Sequence, residues 1–422
     1  MSLPLQLDYS QSISELPECT NYEVTLTPST GATKYEAGSI IKFDFQQRGF
    51  IDPSSIVVRY KYTMVSLVNA QMIATPAYAP FQRLETLIGS QVVESINQYN
   101  QVAGFLYVNT QYDVAMKYGQ QAALGFVNST TVPSLEELDG RLCTVNEVGT
   151  FSMPLVGLLS SSAKLIPAFA MPQVSVQLTM DSIANTFTSG TGAVVPTGFT
   201  LSNVELCYNM LDFGRSVEHD VLAMPKLFLK CWSFSNSSAS LGANVGGSIS
   251  LVYNQKYASV KAAYILASGT TVNSLNKWGD SYDVTQSTGD YSIMIAGQTY
   301  PQRALSTLNN KAYILQELRR ASGNINDKNN NMSVNSVEFY VDANDTTTNT
   351  VPGKFIVGIP LEKLHIPSDK AILTGVSTNN SNITVNINTS TATAAAYTIN
   401  LILNYDAIIE VDTQTRDARV RQ

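Results

Sequence analysis

The chain contains two histidines, His219 and His365, and these limit the acid–base chemistry that the sequence can support. A Ser-His-Asp or Cys-His catalytic arrangement would have to use one of them. His219 lies between Glu218 and Asp220, where a solvated loop residue is expected, and His365 precedes Ile366-Pro367, where a packing or turn contact is expected. The sequence therefore predicts no catalytic residue and a protein that is not an enzyme.

Acidic side chains occur in groups that could serve as paired carboxylates or bind a cation. Glu136-Glu137 lie in loop-like sequence, and so do Glu15 and Glu18, which are near each other. Solvation is the ordinary explanation for such pairs, and a glycosidase pair would need independent geometric support. The run Asp342–Asp345 offers oxygens to calcium but lacks the spaced ligands and closing glutamate of a known calcium loop. The sequence also lacks a P-loop and a G-x-G-x-x-G motif. We therefore predict no metal ligand and no cofactor-binding residue.

Four cysteines, Cys19, Cys143, Cys207 and Cys231, are scattered without a C-x-x-C pair or a neighbouring histidine. This spacing indicates neither a zinc site nor a disulfide framework, so reduced and buried thiols are expected. The first residues, MSLPLQLDYSQ, contain neither a basic nor an apolar signal region, and no stretch approaches the roughly 18 apolar residues of a membrane span. We expect synthesis inside the cell, no secretory signal and no membrane insertion.

Charged residues make up 14% of the 422 residues, against about 25% in a typical domain. Polarity comes instead from Asn, Ser, Thr and Gln, which favours a surface that contacts other proteins. The net charge is −7, and a long run of Lys or Arg is missing, so sequence-specific nucleic-acid binding is not expected. The one basic cluster, Lys311–Arg320, is interpreted as the solvated face of a helix.

Short runs rich in Val, Ile, Thr, Tyr and Phe alternate with polar residues and are separated by Gly, Asn, Ser and Pro, which predicts an all-β protein. Two helices are predicted, at Lys311–Arg320 with Asn309 or Asn310 as its cap and at Val102–Tyr107. The predicted strands are Tyr22–Thr27, Ser39–Phe45, Ile56–Met64, Gln173–Thr179, Thr200–Tyr208, Ser248–Tyr253, Ser336–Val341, Lys354–Gly358, Asn382–Ile387 and Tyr397–Asp406.

Several segments of the first half recur in the same order roughly 200 residues later. Chance coincidences in β-rich sequence are the alternative, but their collinear order favours duplication of one β-domain. The boundary is expected within Asp212–Pro225, giving domains 1–215 and 216–422. The pairs are Gly38-Ser39-Ile40 with Gly247-Ser248-Ile249, Leu87–Gln91 with Met294–Gln298, Val156-Gly157 with Val357-Gly358, Ile166-Pro167 with Ile366-Pro367, Gln173–Thr179 with Asn382–Ile387, and Val204–Asp212 with Leu401–Glu410.

A unit of about 200 residues with roughly eight strands suits a jelly roll better than an immunoglobulin-like sandwich of about 100 residues. The expected fold is therefore two tandem jelly-roll β-barrels with a few short helices in loops. The long polar stretches Gln111–Glu147, Gly269–Asp290 and Ser322–Val334 become loops. Trp232 is expected in the core, and Trp278 at a contact between subunits.

Three groups of segments resemble the double jelly-roll major capsid proteins of tailless icosahedral double-stranded DNA viruses, especially those of polinton-like viruses and virophages. The resemblance covers nearly the whole chain, and its motifs are moderately specific jointly and weak singly. They are Gly38–Phe45, Gly49–Ser54 and Ile56–Met64 at the opening of the first barrel, Gly297–Arg303 and Asn310–Leu318 at a strand-to-helix passage, and Lys354–Leu361, Asn382–Ile387 and Tyr405–Asp412 at the end.

The resemblance implies a structural capsid protein located in the virion and made inside the host cell. It implies a homotrimer whose six barrels give a pseudo-hexagonal outline that tiles an icosahedral shell through contacts between trimers. Penton and minor capsid proteins are the further partners that it implies. The alternative is a tandem β-sandwich that binds carbohydrate or acts in adhesion. A metal-dependent enzyme of the cupin type is a third class, but it would need a cluster of histidine ligands.

Overall fold

The structure is a computed structural model that describes residues 18–67, 70–72, 76–109, 141–143, 145–188, 195–269, 281–308, 311–322, 339, 355–363, 372–393 and 396–422. The strands of the first half are β1 (Thr20–Leu26), β2 (Lys34–Tyr35), β3 (Ile40–Asp44), β4 (Phe50–Ile51), β5 (Val57–Val65), β6 (Ala70–Met72), β7 (Phe81–Ile88), β8 (Gln91–Asn97), β9 (Arg141–Cys143), β10 (Val148–Pro154), β11 (Ile166–Pro167), β12 (Val174–Met180), β13 (Phe187–Thr188) and β14 (Gly198–Asp212).

The strands of the second half are β15 (Lys226–Leu241), β16 (Gly247–Tyr253), β17 (Val260–Gly269), β18 (Gly289–Ile295), β19 (Gln298–Ser306), β20 (Ile356–Pro360), β21 (Ile383–Thr389), β22 (Tyr397–Asp412) and β23 (Asp417–Arg421). The α-helices are α1 (Tyr99–Asn109), α2 (Ile183–Thr186), α3 (Arg215–Ala223) and α4 (Ala312–Ala321). Single 3₁₀ turns span Pro53–Ser55 and Ala168–Ala170.

The two halves have the same strand order. In the first half, β1-β14-β5-β10 run side by side in one sheet and β3-β12-β7-β8 in a second. In the second half, β15-β22-β17-β20 and β16-β21-β18-β19 repeat both orders. The short strands β2, β4 and β11 extend the sheet that contains β14. Strand β23 extends the sheet that contains β22, and β13, β6 and β9 form a small separate sheet. Eight antiparallel strands in two four-stranded sheets form a jelly roll, so the predicted tandem jelly-roll architecture is confirmed.

The hairpin at the end of the second sheet shows the duplication at the level of single residues. β7 and β8 turn at Gly89-Ser90, and β18 and β19 turn at Ala296-Gly297, so both hairpins have two-residue loops. Ala296 has a φ of 50° and Gly297 a φ of 80°. Positive φ at both loop residues matches the twist of the flanking strands.

One of the predicted sequence correspondences is wrong. Val156-Gly157 follows the end of β10, whereas Val357-Gly358 lies inside β20, so the two dipeptides do not occupy equivalent positions. Pro154 and Pro360, which end these two strands, are the better match. A Val-Gly pair is a weak signal because it recurs easily in β-rich sequence. The partner segment Ile366-Pro367 lies outside the described residues.

The predicted strands are found within a few residues of their expected ends, except that Ser336–Val341 lies outside the described residues apart from Phe339. β14 and β22 extend well beyond their predictions because each pairs with different strands along its length. The predicted loop Gln111–Glu147 contains the short strand β9, and its residues 111–140 and 144 lie outside the described residues. Residues 270–280 of Gly269–Asp290 and residues 323–334 of Ser322–Val334 also lie outside them.

Both predicted helices exist, as α1 and α4, but α4 is not capped as expected. Its N-cap is Lys311, which makes no capping hydrogen bond, and Asn309 and Asn310 lie outside the described residues. The interpretation of Lys311–Arg320 as a solvated face is wrong for Lys311, which is 1% exposed. Its ammonium group lies 3.0 Å from the Asp283 carboxylate, which explains how the charge tolerates burial.

Helix α3 was missed, since Asp212–Pro225 was expected to be an irregular linker. None of its residues is buried, and its N-cap Gly214 offers no side chain to the first turn. A helix without an apolar stripe or a capping side chain gives no periodic signal.

Many of the 21 tyrosines lie in the core. Eight tyrosines are among the largest fully buried side chains. Tyr60 donates to the Ala77 carbonyl at 2.6 Å, and Tyr253 donates to the Ile399 carbonyl at 2.9 Å. Each ring fills the space between sheets while its hydroxyl satisfies a buried carbonyl.

Gly358 lets helix α4 lie directly on strand β20. A Cβ added at Gly358 would lie 2.7 Å from both Cα and Cδ1 of Leu318. We expect Gly358→Ala to lower the free energy of unfolding by about 1–3 kcal/mol, because a helix backbone would have to move. The control is Gly269→Ala, also in a strand, where a Cβ would meet nothing within 4 Å. Urea unfolding of both variants checks this prediction, and equal stabilities would contradict it.

Candidate functional site at the junction of the two halves

Of the residues considered for chemistry, the structure describes His219, which is exposed on α3, and Glu18, which is exposed near β1. His365, Glu15, Glu136-Glu137 and Asp342–Asp345 lie outside the described residues. Across the described residues, no three His, Cys, Asp or Glu side chains are grouped as metal ligands. In the same part of the chain, no helix has the length and hydropathy to span a bilayer.

Burial of the cysteines agrees with the prediction for three of the four. Cys143, Cys207 and Cys231 are buried, and Cys19 is half-buried. Burial raises the pKa of the Cys231 thiol to about 12, so it is protonated at neutral pH and a poor nucleophile.

The most specific polar structure in the chain lies where the two halves meet. We define the junction as the contact between β8, an edge strand of the first half, and β15, an edge strand of the second. The Glu94 side chain on β8 is 2% exposed. It accepts hydrogen bonds from Thr86 Oγ1 at 2.6 Å, from the Leu158 backbone N–H at 2.7 Å and from the Ser233 hydroxyl of β15. One carboxylate thus joins three segments from both halves.

The environment of Glu94 favours its neutral form. Burial raises the pKa of this carboxyl above its ordinary value, although the hydrogen bonds from Ser233, Thr86 and Leu158 act in the opposite direction. The titratable groups that interact with it electrostatically are Cys231 and Tyr405, together with Tyr257. Since burial raises the pKa of all three, they carry no charge near neutral pH and leave the carboxylate without a compensating cation among them.

A second set of contacts at the junction consists of amides and hydroxyls. Asn236 on β15 donates through Nδ2 to Gln98 Oε1 at 2.8 Å and to Gln101 Oε1 at 3.1 Å. Gln101 Nε2 donates in turn to the Ser268 hydroxyl of β17 at 3.3 Å. Such directional contacts between buried groups fix one relative placement of the two halves, because a shifted placement would leave them unpaired.

Trp232 corrects an expectation, since it is 37% exposed rather than in the core. Along β15 its neighbours Cys231 and Ser233 are buried, so the alternation of the strand places the indole on the opposite face. The hydroxyl of Ser161, from the first half, lies 2.8 Å from the Trp232 N–H and 2.5 Å from its carbonyl oxygen. The junction therefore holds this strand residue by its backbone. Trp278 lies outside the described residues.

Two further edge strands correspond to the two strands of the junction. By position in the repeated order, β19 corresponds to β8 and β1 corresponds to β15. The middle of β15 and much of β8 are buried, whereas β19 and β1 are exposed along most of their length. In the described part of the chain, neither β1 nor β19 has a strand partner on its outer side.

Comparison with known proteins identifies the arrangement. No protein-family model matches the chain, and no curated protein matches it in sequence. Among solved structures it is similar to VP54 of PBCV-1, with a TM-score of 0.64, 10% identity, and coverage of 98% of this chain and 99% of that chain. It is similar to the Faustovirus major capsid protein, with a TM-score of 0.65, 9% identity, and coverage of 97% and 93%. The chain has the double jelly-roll fold.

A third similar structure is the mavirus major capsid protein, with a TM-score of 0.54, 9% identity, and coverage of 100% of this chain and 95% of that chain. The double jelly roll is thus matched over its whole length, both barrels included. At such low identity the likeness extends to the fold and not to individual residues. The two barrels are held in a fixed relative placement, and each has an exposed edge strand.

Proposed function

We propose that the chain is the major capsid protein of an icosahedral virus, acts as a homotrimer and has no enzymatic activity. The observation that carries the proposal is one strand plan used twice, with a buried junction inside the chain and the corresponding strands β19 and β1 exposed. The two barrels are assigned to residues 1–215 and 216–422. The double jelly-roll fold of the Faustovirus and mavirus major capsid proteins supports this assignment.

The trimer follows from repeating the junction between chains. Within one chain, β8 of the first barrel meets β15 of the second. If β19 of one copy meets β1 of the next, every barrel has two neighbours and the contact is heterologous. A heterologous contact repeated around a threefold axis closes into a ring. Three chains then give six barrels with similar edges, a pseudo-hexagonal outline that can tile a shell.

The exposed strands are chemically suited to this contact. β19 presents Gln298, Thr299, Gln302 and Arg303, and β1 presents Glu23, whose carboxylate lies 2.7 Å from the guanidinium of Arg59, among uncharged polar residues. In the proposed contact Arg303 would approach this carboxylate as a second cation, which favours pairing of unlike edges. The low charge content of the chain suits further weak contacts between trimers, which become stable through their number in a complete shell.

The proposed location is the virion, and the remaining proposed partners are penton and minor capsid proteins. Light scattering and electron microscopy of the purified protein test the whole proposal. A particle of three times the 45.8 kDa chain mass, with a six-lobed outline, is expected. A monomer at assembly concentrations would contradict it.

We expect Arg303→Glu to weaken the trimer at least tenfold, because the new carboxylate on β19 would face the carboxylate of Glu23 on β1 of the neighbouring copy. A like-charge contact at an interface costs several kcal/mol, and about 1.4 kcal/mol already corresponds to a tenfold change in affinity. The added change Glu23→Arg should restore part of the loss. Sedimentation over a concentration series measures this.

The control is Arg419→Glu, an equal charge reversal at a side chain that is 82% exposed on β23, away from both edges. It should leave the trimer unchanged. If both reversals act alike, net charge rather than the β19 edge controls association.

A further inference from the structure

A cleft beside the junction has the features of a ligand site. It has a volume of about 310 Å³ and lies between α1, α4 and the strands β15, β17 and β22. Phe105, Trp232, Phe234 and Tyr264 supply aromatic walls. The Phe105 and Tyr264 ring centroids are 4.7 Å apart, so residues of both barrels contribute to one wall. A concave aromatic cleft with a few polar groups is the usual form of a small-ligand site.

The Trp232 indole is exposed in this cleft and held in place. It packs edge to face with Phe234 at 5.4 Å and 84°, and Ser161 binds both polar backbone groups of the same residue. A large aromatic side chain that is exposed and fixed in position loses little conformational entropy on binding a ligand. It therefore offers a ready platform for stacking.

The polar rim of the cleft is balanced in charge. Lys261 lies 3.5 Å from Glu362 and 3.9 Å from Asp406, and Arg320 donates to Glu317 at 2.8 Å. Asn404 adds an uncharged amide to the lining. Since Lys261 and Arg320 already have carboxylate partners, neither charge is in excess at the rim. The rim therefore offers both hydrogen-bond donors and hydrogen-bond acceptors.

We propose that the cleft around Trp232 binds a neutral sugar residue of a glycan. The apolar C–H face of a sugar ring stacks on the indole, and its hydroxyls, which both donate and accept, match the paired side chains of the rim. A free anion finds no unpaired cation among these groups, and an apolar side chain would make no use of the Asn404 amide or of the remaining hydrogen-bonding capacity of the paired groups. The cleft volume suits one ring. This inference is independent of the proposed capsid function.

Tryptophan fluorescence tests the proposal directly. The full chain carrying Trp278→Phe has Trp232 as its sole tryptophan, so its emission reports on the cleft. The probes are methyl glycosides of glucose, galactose, mannose, fucose, N-acetylglucosamine and N-acetylgalactosamine. At least one should shift the emission saturably, at concentrations on the order of 1 mM, typical of a single ring at a shallow site.

Trp232→Ala, followed by ligand-observed NMR, should weaken that binding at least tenfold, and Asn404→Ala should weaken it severalfold. Phe228→Ala is the matched control, since Phe228 is an exposed aromatic of the same strand that does not line the cleft. Binding lost in Trp232→Ala and kept in Phe228→Ala supports the site. Failure of all six glycosides, equal binding by both variants, or binding only of sodium phosphate or of an apolar peptide overturns the proposal.

Discussion

Asp283→Ala should lower the free energy of unfolding by about 3–5 kcal/mol, since it removes one partner of a fully buried ion pair. Asp283 is 0% exposed and lies 3.0 Å from the Lys311 ammonium group. It also accepts from the Thr285 N–H and hydroxyl, from the Ser287 N–H and from the Tyr291 hydroxyl, all within 3.1 Å. The substitution leaves the Lys311 ammonium group buried without the Asp283 carboxylate. It also removes the acceptor of the donors on Thr285, Ser287 and Tyr291.

Urea unfolding with fluorescence and circular dichroism measures this loss. The matched control is Lys42→Ala in the first barrel, which breaks a pair with Asp44 whose side chains are 38% and 36% exposed and leaves the Asp44 carboxylate with its Ser175 donor. An exposed pair of this kind contributes at most about 1 kcal/mol. The double variant Asp283→Ala with Lys311→Met should recover part of the loss because the buried charge is gone. Equal losses in Asp283→Ala and Lys42→Ala would show that burial does not decide the effect.

Glu94→Ala should destabilise the junction by about 2–4 kcal/mol, because three donors lose their acceptor at once. The Leu158 N–H and the hydroxyls of Thr86 and Ser233 would be left buried without it. Hydrogen exchange should show the loss first in β8 and β15. The neighbouring exposed residue Asn97, changed to alanine, is a control that leaves the carboxylate in place. Unchanged exchange in both strands of Glu94→Ala would contradict this role.

Glu94→Gln should change the pH dependence of stability. The pKa of Glu94 is raised in the folded state, so its contribution is complete below the ordinary value of 4.5 and is lost as pH rises through the raised value. Glutamine keeps an acceptor for Leu158 and cannot ionise. The variant should therefore gain stability relative to the wild type as pH rises from about 4.5 towards 8.

Unfolding of both proteins across that pH range measures the difference. Glu410 acts in the other direction, because hydrogen bonding from Lys226, with Arg421 nearby, lowers its pKa. Its contribution is present above the unfolded pKa and is lost as pH falls through the lowered value. Since Glu410 is common to both proteins, it cancels in the comparison. A difference between wild type and variant that stays constant with pH would rule out titration of Glu94.

Much of the fold could be predicted because strand periodicity is a local property. The alternation in Ile40–Asp44 and Ile383–Thr389 marks half-buried strands without any knowledge of their partners. The repeated hairpin at Leu87–Gln91 and Met294–Gln298 could be recognised because both halves place a two-residue loop containing glycine between two strands, with that glycine at positive φ in each. Helix α3 escaped prediction because its residues are all at least partly exposed.

The sequence by itself determined the all-β class and its duplication. The candidate sites depended on long-range contacts that residue type does not encode. The local sequence around Glu94 does not distinguish it from an exposed strand glutamate, because its contact with Ser233 comes from far along the chain. The local sequence around Lys311 likewise indicates a solvated residue, although the folded chain pairs it with Asp283. Trp232 is of a residue type common in cores, but Cys231 and Ser233 are buried on either side of it, and strand alternation leaves the indole on the opposite, partly exposed face. Backbone periodicity is set by neighbours in sequence, whereas burial of a polar or aromatic group is set by neighbours in space.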